Sequence, residues 1–301
     1  MNRIKKFCML ILTLAITIAF LSGVNANPQT IVKVEPYQNV FGLGQQFTAN
    51  ITITDVQDLF GLEVGLYWNS SVLKLLTTGI MLGVESHPNG VLYGNITKSE
   101  TIGSGNYLLW GTSIGQQTPS FNGSGTIVTL TFNVTSIGSS ELELYTELYN
   151  KASVGSIASP IENSAQNGYY SPIYISISPS NVATGGNCDI SGYTIPREEN
   201  INVTIQYRQQ NAVTWLTLGN ATTNEQGNYT LEWKPPNVGI YQVKALTTIQ
   251  SVAVDSGIVN VSVTKSAFNF WPYVIVAGVG VAVIIIAILL LYQKRLKAKK
   301  T

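Results

Sequence analysis

The chain has 301 residues, of which 45% are hydrophobic and only 11% charged, and its formal charge is +1. That balance is segregated. Of seventeen basic residues three lie in the first six positions and five in the last eight, so nine face all sixteen acidic residues in between, and this middle portion is too acidic to hold nucleic acid or an anionic surface by charge.

The chain opens with Arg3, Lys5 and Lys6, runs apolar from Phe7 to Leu21, and closes on Val24-Asn25-Ala26. This is the layout of a secretory signal peptide over residues 1–26 with cleavage after Ala26. An uncleaved anchor would make the chain two-spanning, but the apolar run is short and the polar sequence after it reads as mature protein. Cys8 would leave with the signal. Cys188 would then stand alone, so no internal disulfide forms and each domain depends on its apolar core.

Residues 27–172 read as β throughout. In Gln46–Thr54, Phe47, Ala49, Ile51 and Ile53 alternate with Thr48, Asn50, Thr52 and Thr54. Leu62, Val64, Leu66 and Trp68 repeat the period, followed by Val128, Leu130, Phe132 and Val134, then Leu142 and Leu144. Breaks at Gly42-Leu-Gly44, Pro88-Asn-Gly90, Gly103-Ser-Gly105 and Asn122-Gly-Ser-Gly125 separate the runs. One polar face per strand predicts antiparallel sheets packed face to face.

A boundary is expected at Ser171-Pro172, and a shorter β domain over 173–265. Its inward rows are Ile201, Val203, Ile205 and Tyr207, then Tyr229, Leu231 and Trp233, then Tyr241, Val243 and Ala245, then Val259, Val261 and Val263. Asn-x-Ser/Thr sequons occur at Asn50, Asn69, Asn95, Asn122, Asn133, Asn202, Asn220, Asn228 and Asn260. Those that fall on alternating strands lie on the polar phase, as a glycan-bearing asparagine must.

From Trp271 to Tyr292 about 22 residues carry no charge, enough to cross a bilayer as one helix. Aromatic residues begin the run. The basic tail 293–301, with Lys294, Arg295, Lys297, Lys299 and Lys300, places the C-terminus in the cytoplasm and the rest outside the plasma membrane. Gly278 and Ala282 make a small-residue pair that hints at helix association.

Groups able to do chemistry are sparse. His87 is a single histidine in a turn-like Glu85-Ser-His-Pro-Asn-Gly90, without the partners of a zinc site or a nucleophile. Asp55 and Asp58 are the nearest pair of carboxylates, but Asp-x-x-Asp before Leu59-Phe-Gly61 reads first as a polar turn, and calcium through Asp55, Asp58 or Glu63 is a lesser alternative. Cys188 reads as a small buried side chain. Aromatic residues are the better lead. Tyr67, Tyr93, Tyr107 and Trp110, with Tyr145, Tyr149, Tyr169 and Tyr170 behind them, can stack on sugar or form a protein interface, although many must be core. No catalytic residue, metal ligand or cofactor is expected.

Gly44–Thr54, then Val56–Leu75 ending in Trp68-Asn-Ser-Ser-Val-Leu73, then Gly123–Val134 resemble, in order, the conserved strands of cohesin modules. The resemblance implies a jelly-roll β-sandwich related to carbohydrate-binding modules. Its usual ligand is a dockerin, whose paired EF-hand-like loops carry the calcium; no such loop is present here, so the partner would be another chain. The second domain is similar to Ig-like spacers of prokaryotic surface proteins. The expected architecture is thus all-β: a jelly-roll-type sandwich, a smaller Ig-like sandwich and one C-terminal transmembrane helix. The expected role is non-catalytic capture of dockerin-bearing extracellular proteins at the cell surface. The alternatives are polysaccharide binding by the same sandwich, or a structural envelope or adhesion glycoprotein.

Overall fold

The computed structural model describes residues 29–265. The expected signal peptide, membrane helix and basic tail lie outside the described residues. Every regular element within them is a β-strand.

The first ten strands are β1 (Thr30–Glu35), β2 (Gln38–Asn39), β3 (Gln46–Tyr67), β4 (Leu73–Ile80), β5 (Ile96–Gly103), β6 (Asn106–Ser113), β7 (Phe121–Val134), β8 (Ser140–Asn150), β9 (Asn163–Gln166) and β10 (Gly168–Tyr170). They form two layers joined by β3. Its first part pairs with β1 and β7, and β4 and β9 extend that layer outward. Its second part pairs with β6 and β8, and β5, β10 and β2 complete the other layer.

The sequence pattern divides this stretch into two strands with a turn at Asp55–Asp58. The structure instead holds one 22-residue strand. Asp55 and Asp58 adopt left-handed φ angles of 55° and 60° as bulges within it. Their backbone N–H groups are met from β7, Asp55 by the Ser124 hydroxyl at 3.0 Å and Asp58 by the Asn122 side-chain oxygen at 2.8 Å. Each bulge resets which side chains face inward. The strand therefore leaves one layer and enters the other without the chain turning back.

Inward residues of both layers meet in one core. Phe47 stacks on Phe132 and Tyr170, and Trp68 meets Phe132 edge-on at 5.1 Å. The Trp68–Leu73 stretch is the corner between β3 and β4. Asn69 accepts the N–H groups of Val72 and Leu73 through its carbonyl, and the Trp68 indole donates to the Leu73 carbonyl at 3.0 Å. The corner is thus pinned from both sides.

The remaining strands are β11 (Ile173–Ser178), β12 (Asn181–Ala183), β13 (Cys188–Thr194), β14 (Asn202–Gln209), β15 (Leu216–Thr222), β16 (Asn228–Trp233), β17 (Gly239–Ile249), β18 (Val252–Asp255) and β19 (Val259–Thr264). One sheet runs β11-β13-β16, the other β12-β19-β17-β14-β15, with β18 on β17. Ile175, Ile190, Val203, Ile205, Trp233 and Val243 are among the buried residues of a second core. Cys188 is a free, buried cysteine, its thiol directed at the Trp233 carbonyl and pushed up to about 11 by burial first and Asp189 second.

The first core ends at Tyr170 and the second begins at Ile173. Polar contacts tie them. The Gln38 amide donates to the Ile175 carbonyl at 2.9 Å and accepts from its N–H at 3.3 Å. The Tyr37 hydroxyl accepts from the Ile258 N–H at 2.8 Å. Ser139 and Tyr169 both donate to one oxygen of Asp255, whose other oxygen pairs with Lys244.

Candidate functional site

The layer made by β5, β6, the second part of β3 and β8 turns Leu62, Val64, Leu66, Leu109, Leu142 and Leu144 inward. Alternation then sets the opposite row outward. The register aligns these residues across three strands. Trp110, Glu63 and Glu147 form one cross-strand row; Leu108, Gly65 and Tyr145 form the next; Asn106, Tyr67 and Glu143 form a third. Trp110 is 42% exposed, and Tyr67 and Tyr145 are 40% exposed. Large aromatic rings on adjacent strands with this much free surface are the most concentrated apolar feature of the face.

Gly65 keeps the centre of the face flat. A Cβ there would lie 2.7 Å from Leu108 Cδ2 and 3.5 Å from the Tyr145 Cβ, so any side chain would push Leu108 aside. Glu147 fixes the two tyrosines of β8. Its Oε1 accepts the Tyr145 hydroxyl and its Oε2 the Tyr149 hydroxyl, each at 2.5 Å. The Tyr145 hydroxyl, followed by that of Tyr149, holds the Glu147 carboxyl below its ordinary value. The same bond pushes the Tyr145 hydroxyl up to about 12, and Tyr149 shifts in the same direction.

One end of the face opens into a cavity of about 440 Å³ lined by Phe60, Leu62, Trp110, Thr112, Tyr149 and Ala158. The cation there is already engaged. Lys151 donates to the carbonyls of Gln116 and Thr118 at 2.6 and 2.5 Å, and its ammonium lies 5.4 Å from the centre of the Phe60 ring. Apart from this held ammonium, the cavity wall is mostly apolar with a few neutral polar groups.

Tyr67 and Trp110 thus stand on one surface, whereas the other two tyrosines grouped with them in the sequence do not. Tyr107 is fully buried, a correction to the sequence reading, because β6 alternates and positions 107 and 110 point to opposite sides. Its hydroxyl donates to Glu100 on β5, which also accepts from Thr78 on β4, so the residue closes an edge of the sandwich. Tyr93 is half-buried, tilted against Phe121 at 6.0 Å and packed on the core. Tyr170 is buried, its hydroxyl donating to the Phe41 carbonyl. Leu108 and Glu147 belong to the face and the sequence reading does not single them out, while Glu63, there an alternative calcium ligand with Asp55 and Asp58, stands between Trp110 and Glu147. Leu108 and Leu109 are adjacent apolar residues, so alternation alone does not say which one is inside.

All sequon asparagines are at least partly exposed. Asn50 and Asn133 lie on the outer side of the opposite layer, as their alternation with Phe47, Ile51, Phe132 and Val134 requires. Asn69 and Asn95 lie just beyond the ends of β3 and before β5, at the rim of the aromatic face. None lies within the face itself. His87 sits in a turn, its N–H bonded to the Gly83 carbonyl. Among the described residues no three His, Cys, Asp or Glu side chains gather as a metal site would need.

No family model matches this chain, and no curated protein matches it. Solved structures do. A non-cellulosomal cohesin from the hyperthermophilic archaeon Archaeoglobus fulgidus is similar at 14% identity and a TM-score of 0.35, over 48% of this chain and 90% of that one. The type I cohesin–dockerin complex from Clostridium thermocellum is similar at 13% identity and 0.36, over 50% of this chain and 96% of that one. A type II cohesin dyad from the adaptor scaffoldin of Acetivibrio cellulolyticus is similar at 10% identity and 0.37, over 79% of this chain and 97% of that one. These are likenesses of low identity and low score.

Proposed function

We propose that this is a non-catalytic, surface-anchored binding protein whose first sandwich captures a dockerin-type module borne by another extracellular protein. The observation that carries the reading is the outer surface of β5, β6, β3 and β8. Tyr67, Trp110 and Tyr145 are exposed there on the same side of three adjacent strands, in successive cross-strand rows, Glu147 fixes one of them, and no sequon interrupts them. Exposed aromatic anchors on a rigid, flat sheet are what a protein partner uses to gain affinity. The Trp68–Leu73 corner and the flanking strands supply the cohesin-like sequence pattern. The second sandwich acts as an Ig-like spacer, and the span expected at 271–292 holds both at the cell.

The test is capture of extracellular proteins by the full chain, compared with Trp110→Ala and with a calcium chelator present. Recovery of a partner carrying duplicated EF-hand-like loops, lost on chelation and lost with Trp110→Ala, supports the reading, since dockerin folding depends on its metal. Capture that ignores both treatments overturns it. Direct retention on polysaccharide, abolished by Trp110→Ala and indifferent to chelator, assigns the same face to sugar instead. The apolar cavity beside Trp110, within the size range of small-ligand sites, is the feature that favours that second reading.

A further inference from the structure

The second sandwich has two unlike ends. The end bearing Tyr37, Tyr169 and Asp255 contacts is built against the first sandwich. The other end is where the described chain finishes. There β14 ends at Gln209 opposite Tyr241, β15 begins at Leu216 opposite Tyr207, and β17 begins at Gly239 opposite Val263. The β12–β13 loop joins them, since the Thr184 N–H and hydroxyl both donate to the Thr264 carbonyl. The loops at this end are therefore neighbours of Lys265.

They expose apolar side chains without a covering element. Val213, at the crest of the β14–β15 loop, is 90% exposed, and Leu216, Val238 and Ile240 are exposed beside it. The loop is held out by its own anchor, because the Trp215 ring packs 4.4 Å from the Arg208 guanidinium and 4.9 Å from the Lys244 ammonium. Lys234 and Lys265 are exposed at the same end. Two acids also lie at this end, Asp189 and Glu232, paired across β13 and β16 on the outer side of that sheet two residues from Lys234 and on the opposite sheet from Ile240.

Chain length decides what can cover this end. Five residues separate Lys265 from Trp271, where the uncharged run begins, and even fully extended they reach no more than about 20 Å. We propose that the end carrying Val213, Leu216, Val238 and Ile240 rests on the lipid surface, with Lys234 and Lys265 at the headgroups. Apolar side chains inserted at the headgroup boundary and lysines at its charged rim are the pattern of an interfacial contact. This inference rests on residues 271–292 being a membrane span. It makes the second sandwich a seated base, so the first sandwich is presented at a fixed height and tilt.

The test uses the chain from Asn27 onward, without the expected signal peptide and its Cys8, in vesicles of phosphatidylcholine containing a minority of phosphatidylglycerol. An environment-sensitive fluorophore is placed at Val213→Cys and, as a matched control, at Val154→Cys, an equally apolar and exposed loop position at the far end of β8. Cys188 is buried and does not compete for label. Nitroxide lipids at headgroup depth are expected to quench the label at position 213 several-fold more than at 154. Equal quenching in chain that resists alkaline carbonate extraction overturns the lipid contact and leaves the span intact. Release by carbonate overturns the span itself, and with it the basis of the contact.

Discussion

The Tyr169 hydroxyl, on the last strand of the first sandwich, donates to Asp255 of the second at 2.6 Å, and Ser139 donates to the same oxygen at 2.7 Å. A single carboxylate of one domain thus collects two hydroxyls of the other. Asp255→Ala and Tyr169→Phe should each destabilise the junction, and the two should not add. Their coupling is expected near 1 kcal/mol, below the range for a buried bond to a charged group because the carboxylate is partly exposed. Urea unfolding of residues 27–265 for the two single variants and the double variant measures it; additive effects would show that the contact carries no energy.

The Glu147 clamp predicts an acid-sensitive surface. Hydrogen bonds from Tyr145 and then Tyr149 hold this carboxyl below its ordinary value of 4.5. A depressed carboxyl contributes stability that is complete above the ordinary value and is lost as pH falls through the lower folded value. Tyr145, raised from 10.0 to about 12, behaves in the opposite sense: its contribution is complete below pH 10 and is lost as pH rises toward 12. Carboxyl-carbon NMR titration should show Glu147 titrating at lower pH than an unperturbed glutamate. Glu147→Gln should abolish that resonance and bring the Tyr145 hydroxyl back toward 10.

Trp110 and Tyr107 lie three residues apart and should fail in different ways. Trp110→Ala is expected to leave unfolding within a few tenths of a kcal/mol of wild type while weakening partner binding by about thirtyfold, the loss of one aromatic anchor. Tyr107→Ala should remove about 3–5 kcal/mol of folding stability, as for other buried aromatic truncations. Calorimetry beside binding titration separates them, and a stability loss at Trp110 would mean that the ring serves the fold.

That contrast also shows what could be read from the sequence. Rows such as Val128, Leu130, Phe132 and Val134 alternate cleanly because one side of the strand meets the core and the other meets water, and those residues are indeed buried. β5 gave no such signal. Its residues Thr97, Lys98, Ser99, Glu100, Thr101 and Ile102 are all exposed, so neither phase of the strand was under pressure to be apolar. The aromatic face was legible only in part. Tyr67 and Trp110 could be singled out as aromatic, but placing them together required the pairing of Glu63 with Trp110 and of Gly65 with Leu108, a long-range register that no local pattern encodes.

The second sandwich offers a packing test. A Cβ on Gly192 would collide with the Tyr174 carbonyl oxygen and the Tyr229 hydroxyl, which themselves are hydrogen-bonded at 2.7 Å. Gly192→Ala should cost about 1–3 kcal/mol through overpacking and lost alignment of that bond. At Gly219 the nearest atom to a new Cβ is a Leu231 methyl at 3.5 Å, an ordinary contact, so Gly219→Ala should be close to neutral. Thermal unfolding of the two variants distinguishes them; equal stability would mean that the β13–β16 pairing relaxes freely.

The bulges at Asp55 and Asp58 make β3 a segment in which residue number matters as much as residue type. Inward positions are odd from Phe47 to Ile53, then Val56, then Leu59, then even from Leu62 to Leu66. Deleting one residue between these points would turn Leu62, Val64 and Leu66 outward and bring Glu63 and Tyr67 toward the core. The 152–157 stretch, exposed along its whole length, has no such constraint and can absorb length changes. Descendants of this sequence should therefore drift freely in length at the far loop while the count from Ile53 to Leu62 stays fixed, because the same residues that choose the interior also choose what the outside world meets.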